Sequence, residues 1–133
     1  MKKQTIFILT LTLVVIPGIV IWNYINKPVT KVDNVTAITI EADALVNAFV
    51  KDEMQANKTY LNQAIAVTGT ISELSKNQDG KTVIILQSSD PLSGVQCTLR
   101  DAATLSIGNK VTIKGYCTGY TLVVILSDCI IQQ

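Results

Sequence analysis

The 133-residue chain has no histidine, which removes imidazole base catalysis, serine–histidine triads, cysteine–histidine nucleophiles and histidine-bearing zinc sites together. Its cysteines, Cys97, Cys117 and Cys129, are spaced 20 and 12 residues apart with no Cys-x-x-Cys, so neither a metal knuckle nor a dithiol redox motif is present. Arginine occurs once, at Arg100, and aromatic residues make up only 5% of the chain. A cationic groove paved with rings, the usual surface for single-stranded nucleic acid, has little to be built from. Asp52 and Glu53 are adjacent in a helical pattern and point in different directions, which is the wrong arrangement for a pair of catalytic carboxylates. Asn77-Gln78-Asp79-Gly80 lacks the alternating oxygen ligands and terminal glutamate of a calcium loop and reads as a turn. No catalytic residue, metal site or cofactor is expected.

What the chain does have is a block of apolar residues at its start. After Met1, Lys2 and Lys3, residues 5–22 run without a charge (TIFILTLTLVVIPGIVIW). As a helix, this run is about 27 Å long, close to the ~30 Å hydrocarbon thickness of a bilayer. A cleaved signal peptide is the rival reading, favoured by Lys2-Lys3 and by Pro17-Gly18, but the apolar run continues to Trp22 and no small-x-small site follows. An uncleaved signal-anchor over residues 1–26 is therefore expected, with the lysines on the cytoplasmic side and the rest of the chain outside. Trp22 and Tyr24 suit the outer interface. With Lys2 and Lys3 assigned to the anchor, nine cations face ten carboxylates in the remainder, and no basic balance is left to attract a phosphate backbone.

Residues 27–38 mix Pro28, lysines, Asp33 and Asn34 without amphipathic period and read as a linker. The domain then occupies 39–133. From Ile40 to Asn57, Leu45, Val46 and Phe49 share a helical face, and Thr39 is placed to cap it. After Tyr60 the period changes to two: Ile65, Val67, Gly69 and Ile71 share one face of a strand. Further strands are expected at 81–87, at 95–99 (Val95, Cys97 and Leu99 inward), at 111–117 and at 120–131, with a hairpin turn at Thr118-Gly119. Asp101 suits the cap of a short helical turn through Leu105, closed by Gly108. Three strands, a helical turn and two more strands, preceded by an amphipathic helix, is the layout of a five-stranded OB-type barrel; a short sandwich or an open sheet on the first helix would give a similar pattern.

One stretch carries a further likeness. Leu45 and Phe49 in the helix, Lys58-x-Tyr60 leading into Ala66-Val67-Thr68-Gly69, Ser93-Gly94-Val95-Gln96-Cys97, the run from Ile107 through Gly115-x-Cys117-x-Gly119, and Val124-x-Leu126-x-x-Cys129 resemble a bacterial OB-fold family described as tRNA-anticodon-binding-like. Its members are small envelope proteins, many of them labelled lipoproteins. The resemblance implies the fold and no biochemical activity. The chain has no cysteine before Cys97, so a lipid-modified N-terminus is replaced by a direct tether.

Two sets of side chains remain as site candidates. Tyr116 and Tyr120 flank the last hairpin, a loop that OB folds use for ligands, and Arg100 could clamp an anion or pair locally with Asp101 or Glu73. The loop Ser88 to Gly94 is a second candidate surface. Among the cysteines, a turn at Thr118–Tyr120 would leave Cys129 about 23 Å along the strand from the position facing Cys117. Parallel third and fifth strands of an OB barrel would instead let Cys97 and Cys129 meet, so a Cys97–Cys129 disulfide is the favoured pairing, against three buried free thiols. The expected partners are the membrane through residues 5–22 and an envelope protein or glycan, with nucleic acid disfavoured.

Overall fold

In the computed structural model of the chain, the described residues are 16–22 and 31–132. The chain divides into two units, Met1–Thr30 and Lys31–Gln133. In the first, residues 16–22 are helical (α1). Among the described residues no helix is long and apolar enough to cross a membrane, and the span expected over 5–22 lies outside them except for α1.

The second unit is a barrel with an N-terminal cover. Strand β1 (Ile38–Glu41) leads into helices α2 (Ala42–Lys51) and α3 (Glu53–Tyr60), then β2 (Ala64–Lys76), β3 (Thr82–Gln87), β4 (Gly94–Leu99), β5 (Lys110–Tyr120) and β6 (Val124–Gln132). The strands are ordered β2-β3-β4-β6-β5, and the sheet closes where β5 returns to β2, with Ile65 opposite Gly115 and Val67 opposite Ile113. Its third and fifth strands, β4 and β6, are parallel neighbours as OB topology requires, with Cys97 opposite Leu126. The two-residue period sets the interior: Ile65, Val67, Ile71, Leu86, Val95 and Leu126 are all buried. Burying each large aliphatic side chain contributes roughly 1.5–3 kcal/mol. Helix α2 adds Ala42, Leu45, Val46 and Phe49 to the same core, so the amphipathic stripe faces the barrel.

Four local expectations are corrected. The helix does not begin near Ile40. The β-branched run Ile38-Thr39-Ile40 pairs in parallel with Ile65-Ala66-Val67 instead, and Thr39 sits in a strand rather than at a cap. The helical pattern is also cut at Asp52, whose extended backbone ends α2 while its carboxylate accepts the Gln55 N–H at 3.0 Å and caps α3. Between β4 and β5 there is no helical turn: residues 101–106 run without regular structure, and Ala103 and Leu105 lay alternate side chains against the core. Lastly, β5 continues through Gly119 to Tyr120, so the hairpin turns at 121–123, and Cys117 faces Leu126 across the ladder.

Candidate functional site

That longer β5 decides where the tyrosines go. Tyr120 stacks on Phe49 with ring centroids 5.2 Å apart and an angle of 25°, and Tyr60 closes on the same ring from α3 at 6.1 Å and 37°. Tyr120 thus fastens the end of the barrel to helix α2, with one face of its ring taken up by Phe49. Tyr116 is half-buried, opposite Ala64 on β2 and Ser127 on β6.

Arg100 is committed as well. Its Nε and Nη2 donate to the two carboxylate oxygens of Asp128 at 2.7 and 2.6 Å, and its Nη1 donates to Asp33 at 2.7 Å. These partners lie 28 and 67 residues away, not at Asp101 or Glu73. Asp33 belongs to a 3-10 turn, Val32–Asn34, whose Val32 is fully buried, and the Lys114 Nζ donates to the Asp33 carbonyl at 3.2 Å. A bidentate arginine fork with a third partner is a fixed geometry, so these contacts strap the start of the unit to the barrel rather than holding an anion.

Hydrogen bonding from Arg100 holds the Asp128 carboxyl below the ordinary aspartate range, and bonds from Ser89 do the same for Asp43. A carboxylate whose pKa is lowered by folding adds stability at pH above the unfolded value of about 3.9 and loses it as pH falls through the lower folded value. The urea midpoint of the domain is therefore expected to drop in that acid window. Asp128→Asn should flatten the drop, and an unchanged profile in that variant would show that the strap does not carry it.

All three cysteines are buried and free. The strand pairing sets Cys129 opposite Leu99, two residues along β4 from Cys97, whose Sγ donates to the Val95 carbonyl at 3.9 Å; the neighbouring Cys129 thiol and burial push the Cys97 thiol up. Burial also raises Cys117. Its register opposite Leu126 leaves Cys129 three residues further along β6, closer than a turn at Thr118 would allow.

The largest concavity among the described cavities, about 620 Å³, lies where the bulged middle of β2 (Thr70–Glu73) meets Ile85 and Gln87 of β3. Loop residues Asp90–Ser93, Ile107 and Val123 wall it. The volume is in the range of ligand sites. The loop between β3 and β4 is rigidly built. Ser88 Oγ donates to the carbonyls of Asp90 and Ser93, each at 3.0 Å; the Asp90 carboxylate accepts from Leu92 N at 3.0 Å and Ser93 Oγ at 3.1 Å; and Asp43 on α2 accepts from Ser89 N at 2.7 Å. Gly94 closes the loop, since a Cβ there would lie 2.7 Å from the Leu86 carbonyl oxygen. This framework holds Leu92 84% exposed at its tip, and Ile107, which also lines the cleft, is 64% exposed. No lysine or arginine lines the cleft; its charges are Glu73 and Asp90. The sequence marked the loop but neither Glu73, Ile107 nor Val123. The readable signal was an apolar residue between Asp90-Pro91 and Ser93-Gly94, where turn formers leave it nowhere to hide.

Comparison with protein families finds a match to the model described as tRNA_anti-like over residues 1–130. Among solved structures, one described as a "putative nucleic acid-binding lipoprotein" from Klebsiella pneumoniae subsp. pneumoniae superposes with a TM-score of 0.56 at 13% identity. The match covers 71% of this chain and 92% of that one, and at that identity it speaks for the fold alone. None of the curated proteins compared matches the chain.

Proposed function

The chain belongs to the tRNA_anti-like family, and from that premise we propose that it is a non-catalytic binding module tethered to the cytoplasmic membrane by residues 5–22, with its OB barrel outside. The cleft against β2 and β3 is its ligand surface. The observation that carries this reading is the braced loop Ser88–Gly94, which holds Leu92 in solvent beside a ligand-sized hollow. Leu92 and Ile107 line the same ligand-sized hollow, which sets them apart from singly exposed apolar side chains, and a hydrogen-bonded loop has less ordering entropy to lose on binding. The uncharged run 5–22 and the lysines before it support the tether and its orientation. Outside the membrane, the contact between Cys97 and Cys129 is where a disulfide would form. With buried thiols and Cys97 pushed up, a redox function is the weaker reading.

Binding of single-stranded nucleic acid is the second reading, favoured by the words attached to the Klebsiella structure. Opposing it, the cleft has no cation and no ring, and Tyr120 of the last hairpin is stacked on Phe49. Fluorescence anisotropy of the full-length chain in neutral detergent, titrated into labelled mixed-sequence single-stranded DNA and RNA at low salt, tests this. No binding is expected. Micromolar affinity that weakens steeply with salt would replace our reading with strand binding.

A further inference from the structure

The cleft has a chemistry that narrows what it can hold. Its apolar lining is aliphatic: Ile85, Leu92, Ile107 and Val123 border the hollow, and the two most exposed, Leu92 and Ile107, come from different loops. No aromatic residue lines it, so a sugar ring or a base finds no platform to stack on. Of its two carboxylates, Asp90 spends its oxygens on the Leu92 N–H and the Ser93 hydroxyl. Glu73 has no ion-pair partner among the described residues, and its place beside the β2 bulge puts an uncompensated negative charge in the hollow. Around these groups lie short hydroxyl and amide side chains, Thr70, Gln87 and Ser93. These can donate to or accept from a backbone, since each peptide unit offers one N–H and one C=O.

Resting on the binding-module reading, we propose that the cleft receives an extended segment of a partner polypeptide carrying a branched aliphatic side chain next to a lysine or arginine. The aliphatic group enters between Leu92 and Ile107, where it removes both exposed side chains from water. The cation meets Glu73 at the edge of the hollow. An extended chain suits this pair of contacts because its successive side chains point to opposite sides, so one enters between the loops while its neighbour reaches back along β2. Aliphatic contact supplies the affinity, and the single carboxylate supplies the preference for one charge over the other.

The test uses two labelled hexapeptides, one alternating valine with lysine and one alternating valine with glutamate, titrated by anisotropy against the full-length chain in neutral detergent. The lysine peptide should bind at least about tenfold more tightly than the glutamate peptide. Leu92→Ser should weaken the lysine peptide by about tenfold with no change in thermal midpoint, since this side chain is already in water. Glu73→Lys should reverse the ranking of the two peptides. Equal binding of both peptides, a ranking that survives Glu73→Lys, or binding indifferent to Leu92→Ser would each overturn the proposal. The oligonucleotide titration separates the two levels: absence of peptide and strand binding removes only this assignment of ligand, whereas strand binding removes the parent reading too.

Discussion

Phe49→Ala should lower the unfolding free energy of the domain by about 3–5 kcal/mol, the cost of deleting a buried aromatic ring. Phe49 is 1% exposed and joins helix α2 to the barrel interior. Its ring is also the middle member of the Tyr60–Phe49–Tyr120 cluster. The alanine variant therefore loses core packing and leaves two tyrosines without their partner. Urea unfolding of the wild type, Phe49→Ala, Tyr120→Ala and the double variant measures how much is pairwise. A coupling of about 0.5–1.5 kcal/mol between Phe49 and Tyr120 is expected, the range seen for aromatic pairs. A near-zero coupling, with Tyr120→Ala harmless to stability, would return Tyr120 to the role of a ligand platform.

The barrel was legible because its information is local and periodic. Alternation along Ile65, Val67, Gly69 and Ile71, and along Val95, Cys97 and Leu99, sets which face of each strand is buried whatever lies across from it. Once that order resembled an OB barrel, the parallel contact of β4 and β6 followed. What failed to show depends on partners far along the chain. Ile38-Thr39-Ile40 looked like the lead-in to a helix because its parallel partner, Ile65-Ala66-Val67, lies beyond both helices. Asp52 sits inside a run of good helix formers, and only its backbone geometry reveals a break. The last turn was misplaced because Gly119, a turn former by composition, lies within β5, while Leu122, 77% exposed, occupies the actual turn.

The candidate site followed the same division. The loop Ser88–Gly94 announced itself by Asp-Pro and Ser-Gly steps, and the structure makes it one wall of the cleft. The bond from Ser89 to Asp43 reaches 46 residues back, and that from Arg100 to Asp33 reaches 67. Arg100 was conspicuous as the one arginine in the chain, yet conspicuousness carried no information about two carboxylates folded against it from opposite ends of the domain.

Gly115→Ala is expected to cost about 1–3 kcal/mol, the usual penalty for forcing atoms into a closed core. Gly115 lies on β5 where the ladder to β6 slips between Lys114 and Tyr116, and the slip lets β6 bulge toward it. A Cβ there would stand 2.5 Å from the Cys129 Sγ and 3.0 Å from the Ser127 carbonyl oxygen. The thiol has no room to retreat, being buried against Cys97, and the Ser127 carbonyl is backbone. The next residue, Asp128, holds a left-handed φ of 53° while receiving the Arg100 fork, so a shift of this segment loosens the strap as well. Combining Gly115→Ala with Cys129→Ala removes the nearer obstacle and should recover part of the loss in urea unfolding, though not all, because the Ser127 oxygen stays. Full additivity of the two substitutions would mean that the barrel yields elsewhere. A neutral Gly115→Ala would mean that β5 and β6 can part at the bulge without cost, and the contact of Cys97 with Cys129 would then be free to open too.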